Sequence, residues 1–166
     1  MSDMSILGFI AKVSDMTIAV HEAGYHALER AAVLVEKEAK SSIGTYQSAA
    51  GPFAAWAELA DATKADRVRQ GYTENDPELR DGTMRDGIEH TVVMRGFDGE
   101  AHIGSDDPIL AYQELGTSKM PPRSILGGAL FREADKVAEI IGHTVYGALI
   151  GEEVFAGSIP VIGDGT

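Results

Sequence analysis

The chain has 166 residues, with 14 basic and 26 acidic side chains for a formal net charge of −12, and no cysteine. That length suffices for one domain with an unstapled core, and the missing thiols exclude disulfides, thiolate metal sites and a cysteine nucleophile. So acidic a surface disfavours binding to nucleic-acid phosphates or anionic membranes, and no stretch approaches the roughly 18 apolar residues of a membrane span.

In chain order, the opening MSDMSILGFIAKVSD has only a short apolar stretch, without a basic leader or a small-residue cleavage site, so no secretory signal is expected. From about residue 14 to 42 the pattern predicts a long amphipathic helix. Val20, Gly24, Ala27, Ala31, Leu34 and Val35 make its apolar stripe, and Glu36 and Lys40 a supporting pair on an exposed face. The small residues of that stripe suit close approach to another helix. Within it, "HEAGYH" looks like the zinc-binding H-E-x-x-H but is one residue too long. Five residues at about 100° each set the rings of His21 and His26 roughly 140° apart, so a regular helix cannot bring both to one metal. A structural role at the two borders of the stripe is expected instead, and a small metal-dependent hydrolase using these histidines is the distant alternative.

Residues 43–87 read as a polar arm, with a helix expected over about 56–70, Trp56 as an anchor to the core or to a neighbouring subunit, and loop through "YTENDPELRDGTMRDG". Long polar connections of this kind are commonly functional or disordered. Between Glu74 and Asp107 there are ten acids against three bases. That excess reads as solvated surface or as a face kept negative for a purpose, with a calcium site as a lesser option. The small basic run "TKADRVR" reads as a solvated helix face.

"IEHTVVMRGF" and "EAHIGS" predict a β-hairpin turning at Asp98-Gly99. A two-residue loop there pairs Phe97 with Glu100 and Arg95 with His102, with His90 on the face of Ile88, Val92 and Met94 and His102 on the other. Asp107-Pro108 starts and Gly116 stops a short helix. A second long helix is expected from about residue 123 to 150, with Leu126, Leu130, Ala134, Val137, Ile141, Val145 and Leu149 as its stripe. Gly151 ends it, and residues 152–166 are expected to be a flexible tail. Together these elements predict a single α+β domain over 1–151, two long helices packed on a small antiparallel sheet with a long polar arm.

No catalytic signature is complete. There is no G-x-G-x-x-G, P-loop or EF-hand series, and "GTSKM" begins like a nucleophile elbow but has Met120 in place of the second glycine. Carboxylates in the arm have no apolar surroundings to make them general acids. No enzyme, cofactor or metal site is expected.

One stretch carries a family resemblance. "AYQELGTSKMPPRSILGGAL", residues 111–130, resembles the tail-completion or neck proteins of long-tailed bacteriophages, in which a helix ends in a Glu-x-Gly-Thr corner and a Pro-Arg pair opens the last helix. Glu114, Gly116, Thr117, Pro122 and Arg123 match that order. The segment "WAELADATKADRVRQGYTENDPELRDGTMRDGIEH" is similar to the virion-morphogenesis proteins of Mu-like phages, although "LRDGTMRDG" departs from the longer apolar pair usual before the turn. The resemblance implies a non-catalytic virion protein joining tail to head as a ring, typically of six copies. Its partners would be copies of itself, the portal-side connector and the tail tube or terminator, with DNA passing through the lumen unbound and no membrane involved. Its place would be the head–tail junction or tail end of the virion, and the host cytoplasm during assembly. Thr117 is then expected to brace the loop, and Arg123 to pair with Glu114 or a neighbouring subunit; the plainer reading is that these residues only turn the chain. A tail-terminator ring is the nearest alternative, and an acidic cytosolic binding module a more distant one.

Overall fold

The computed structural model describes residues 5–151. Its elements are α1 (Ile6–Ser42), α2 (Asp61–Arg69), α3 (Thr83–Asp86), β1 (Glu89–Arg95), β2 (Asp98–Gly104), α4 (Pro108–Leu115) and α5 (Leu126–Ile150). This is an α+β fold: a two-stranded antiparallel sheet and two long helices. The tail expected over 152–166 lies outside the described residues.

α1 begins earlier than expected. Ser5 caps it, its hydroxyl accepting from Gly8 N–H at 3.1 Å, and Ser14 is an interior position because nothing between Ile6 and Val13 breaks the helix. The helix packs against α5 and against both strands. Ala23, Ala27, Ala31, Ala32, Val35 and Ala39 are its buried positions. Of the expected stripe, Ala27, Ala31 and Val35 are buried, while Val20, Gly24 and Leu34 are only partly covered.

α5 runs antiparallel to α1. Its first turn, Ile125 and Ala129, shares a core cluster with Val35, Ala39 and Ile43 at the end of α1, and burial then continues through Thr144 and Ala148 on α5 as it recedes to Ala23 on α1. The covered face of α5 is rotated from the predicted stripe: Ala129, Glu133, Thr144, Gly147 and Ala148 are buried, whereas Leu130, Ala134 and Leu149 are exposed. The alanine surface of α1 explains this. Two helices come close where both present small side chains, and the large apolar residues are displaced to the flank. α5 also starts after the Pro-Arg pair, at Leu126 and not at Arg123.

The hairpin turns two residues before the expected place. Arg95 pairs with Asp98 and Thr91 with His102, so the loop is Gly96-Phe97 and Asp98-Gly99 belongs to β2. Gly96, at φ +64°, supplies the positive φ that a tight hairpin turn requires at its first central position. Because every partner moves by an even number of residues, the faces are those predicted. His90, Val92 and Met94 turn inward, and His102 lies outside.

The arm is tied down and not free. α2 is shorter than expected, starting at Asp61, and Trp56 lies in the extended stretch before it, its N–H donating to Gln47 O at 2.9 Å and its side chain 6% exposed in the core. Tyr46 Oη donates to Asn75 Oδ1 at 2.6 Å and accepts from Leu59 N–H at 3.1 Å. Within the expected loop, residues 83–86 form the one-turn α3, which places Met84 beside Ile88 in the core. That core, with Val35, Trp56, Leu110 and Ile125, sits where the end of α1, the arm, α4 and the start of α5 converge.

Candidate functional site: a corner closing α4, the arm and α5

The histidines of "HEAGYH" do not converge. His21 packs edge-on against Phe97 with ring centroids 6.4 Å apart, and His26 is exposed against Tyr25 at 5.6 Å. Among the described residues no group of three His, Asp or Glu side chains could hold a metal ion.

His90 instead joins the sheet to α1. Its Nε2 lies 3.1 Å from Glu29 Oε1, and its Nδ1 meets Glu36 Oε2, whose other oxygen binds Lys40. The hydrogen bonds to Glu36 and then Glu29 raise the imidazole pKa above its ordinary value. Burial pushes Glu36 up, but the bonds from His90 and Lys40 outweigh it and hold the carboxyl below its usual range. A raised histidine pKa gives stability that is full below the unfolded value, near 6.5, and is lost as pH rises through the folded one. His90→Gln should therefore lose most relative to the parent at about pH 6 and least at about pH 9. Denaturant titrations across that range check this, and a pH-independent gap between the two proteins would rule it out.

The corner is built around an unusual helix start. Ile125, the N-cap of α5, has no polar side chain to offer, yet the first four N–H groups of any helix need partners. Glu114, from the end of α4, supplies them. Its Oε2 accepts from the N–H groups of Ile125 at 2.6 Å and Leu126 at 2.8 Å, and its Oε1 from Gly127 N–H at 2.9 Å and the Ser124 hydroxyl at 2.5 Å. Ser124 Oγ accepts in turn from Gly128 N–H at 3.1 Å, and Ala129 N–H donates to Ile125 O. The carboxylate thus also sits at the positive end of the helix dipole.

Gly116 lets α4 reach this position. Its φ of 72° and ψ of 176° form a backbone conformation essentially reserved for glycine, and a Cβ there would lie 2.8 Å from Pro122 N. Thr117 and Met120 exchange backbone hydrogen bonds at 2.9 and 3.3 Å, and Thr117 Oγ1 accepts from Lys119 N–H at 3.3 Å. The predicted bracing by Thr117 is therefore a feature of the loop. Pro122 is exposed next to the buried Arg123.

Arg123 does not pair with Glu114. Its N–H donates to Gln113 O at 2.7 Å, holding the loop against α4. Its guanidinium enters the arm, donating from Nε and Nη2 to Ala57 O at 3.2 and 2.9 Å and from Nη1 to Glu78 Oε1 at 3.0 Å. Both partners of this ion pair are nearly inaccessible, with side chains 5% and 4% exposed. Burial raises the Glu78 pKa despite the opposing charge of Arg123. Glu78 also adopts φ +63°, alone among the described non-glycine residues, a conformation that persists only where its surroundings hold it. Arg67, expected on a solvated face, is 2% exposed and folds the arm by donating from Nε to Thr73 O at 2.7 Å and from Nη2 to Leu79 O. A cavity of about 740 Å³ opens beside the corner, lined among others by Arg67, Glu78, Arg80, Lys119 and Arg123.

The structure thus gathers Trp56, Glu114, Gly116, Thr117, Pro122 and Arg123 around one junction and adds Glu78, Ser124 and Arg67, which the sequence did not single out. Ser124 had a local signal, a hydroxyl just before a helix; Glu78 and Arg67 had none, since their partners lie in other segments. What the arrangement does chemically is fasten three chain segments together. No family model, no characterised protein and no solved structure matches this chain.

Proposed function

We propose that the chain is a structural protein of a long-tailed phage virion, a tail-completion or neck ring that joins tail to head and lets DNA through. The observation that carries this reading is the apolar surface left open on both long helices. Ile6 and Leu7 are 80% and 78% exposed, and Leu130, Tyr146 and Leu149 are at least half exposed. Large open apolar patches on a folded chain mark interaction surfaces, and a closed ring needs two of them per subunit.

The corner supports the same reading from another side. The residues that resemble the family motif lie along one corner, and Glu114 and Arg123 there hold separate segments in place through hydrogen bonds to α5 and to the arm. Under this proposal the acid-rich segment from Glu74 to Asp107 repels DNA passing the bore, and the portal-side connector and tail proteins are the partners above and below the ring.

Electron microscopy of lysates from a phage lacking the gene tests the proposal. DNA-filled heads beside unattached tails of normal length are the expected result. Tails of irregular length would replace it with a terminator, and ordinary infectious virions would overturn both.

A further inference from the structure

The apolar stripe of α1 changes character along its length. Over its second half, Ala23, Ala27 and Ala31 are covered. Going back at steps of three and four, the same stripe continues as Met16, Val13, Phe9 and Ile6, all large and 40–80% exposed. None of the residues from 6 to 19 is buried. α1 has 37 residues and α5 has 25, so at about 1.5 Å per residue α1 is roughly 18 Å longer than its antiparallel partner. Because α1 is continuous, this extension points away from its own α5.

α5 carries a second open face. Leu130, Ala134 and Leu149 are exposed and Val137, Ile141 and Val145 half-covered, a helical stripe about 29 Å long that lies beside the face packed on α1. Ala134 and Ala138 leave recesses along it for large side chains. On the borders, Lys12 flanks the α1 stripe with Asp15 one turn further on, and Asp135 and Glu139 lie to the open side of the α5 stripe.

We infer that the N-terminal extension of α1 in one copy lies across the open face of α5 in the next copy, and that this is the subunit contact. Both faces belong to one chain and are apolar at the same helical spacing, and the α5 stripe is long enough to seat the whole extension. Five exposed large side chains share the face of the extension, Ile6, Phe9, Ile10, Val13 and Met16, and at about 100 Å² each they supply over half of the ~800 Å² that one partner contributes to a standard interface. The contact is heterologous, so every copy keeps one donor and one acceptor face until a ring closes. The inference deepens the proposed function by naming the contact that would build its ring.

The absence of cysteine makes the test direct. Val13→Cys and Ala134→Cys proteins, mixed and treated with a short bismaleimide, should give a cross-linked dimer, and the double variant a ladder ending at a closed ring. Adding Phe9→Asp should lower the yield about tenfold or more without changing the melting temperature, since Phe9 is exposed in the single copy. Linkage of Val13→Cys to itself in preference to Ala134→Cys would mean α1–α1 pairing and overturn the inference. So would absence of the mixed product both in concentrated purified protein and in extracts of cells producing it. Cross-linking together with normal virions from the gene-deleted phage would retire the neck reading and leave this contact standing; the reverse pattern would do the opposite.

Discussion

Replacing Arg123 by Met should destabilise the protein by about 3–5 kcal/mol at neutral pH, the usual consequence of removing one partner from a buried ion pair. The side chain being lost is 5% exposed and its partner Glu78 is 4% exposed, so the guanidinium does work that bulk water does not do for this carboxylate. Ala57 O loses its donors as well. The deficit should depend on pH, and its sign follows from Glu78. Burial already raises this carboxyl above the ordinary glutamate value, and without Arg123 it rises further. A raised folded-state pKa means stability that is full below the unfolded value and is lost as pH rises through the folded one. The gap between parent and variant should therefore be small near pH 4 and widen towards pH 8. Adding Glu78→Gln should recover part of the loss at neutral pH, because no buried charge is then left uncompensated. Urea titrations of the three proteins at both pH values decide the matter. A gap of the same size at both would mean that Glu78 finds water or another cation when Arg123 is gone.

Glu114→Ala should cost about 3 kcal/mol, more than an ordinary helix cap, whose removal costs about 0.5–2 kcal/mol. The reason is the number of groups left behind. Three backbone N–H donors and the Ser124 hydroxyl share this carboxylate, and hydrogen bonds to a charged acceptor contribute more than neutral ones. Glu114→Gln should fall between parent and alanine variant, since an amide keeps one acceptor oxygen and turns a donor towards the remaining N–H groups. Hydrogen exchange sharpens the expectation: amides at the start of α5 should lose protection in the alanine variant, while those in the middle of α1 should not. Unchanged protection at residues 125–127 would mean that the cap is replaced locally by solvent.

These two residues also show how far the sequence reached. Gly116 was legible as a helix stop and the stretch after it as a loop because that chemistry is local, glycine suiting a backbone conformation other residues avoid; the five-residue corner itself came from the family resemblance. The partners were not legible. Arg123 was expected to meet Glu114 or a neighbouring subunit; Glu114 caps α5 instead, while Arg123 turns into the arm to meet Glu78, 45 positions earlier. Sequence spacing carries no record of which distant carboxylate lies beneath a given guanidinium.

The same division holds for the fold. Helical period, alternation and turn residues determined by themselves that there are two long helices and a hairpin, and the period of two fixed which side of β1 faces inward even though the turn lies two residues earlier than Asp98-Gly99 suggests. Tertiary structure decided the rest. Which flank of the broad α5 stripe is covered depended on the alanine face of α1, because close helix packing selects small side chains on both partners. The burial of Arg67 depended on where the arm folds back, since a cation enters a core only when carbonyl or carboxylate oxygens from other segments are assembled around it.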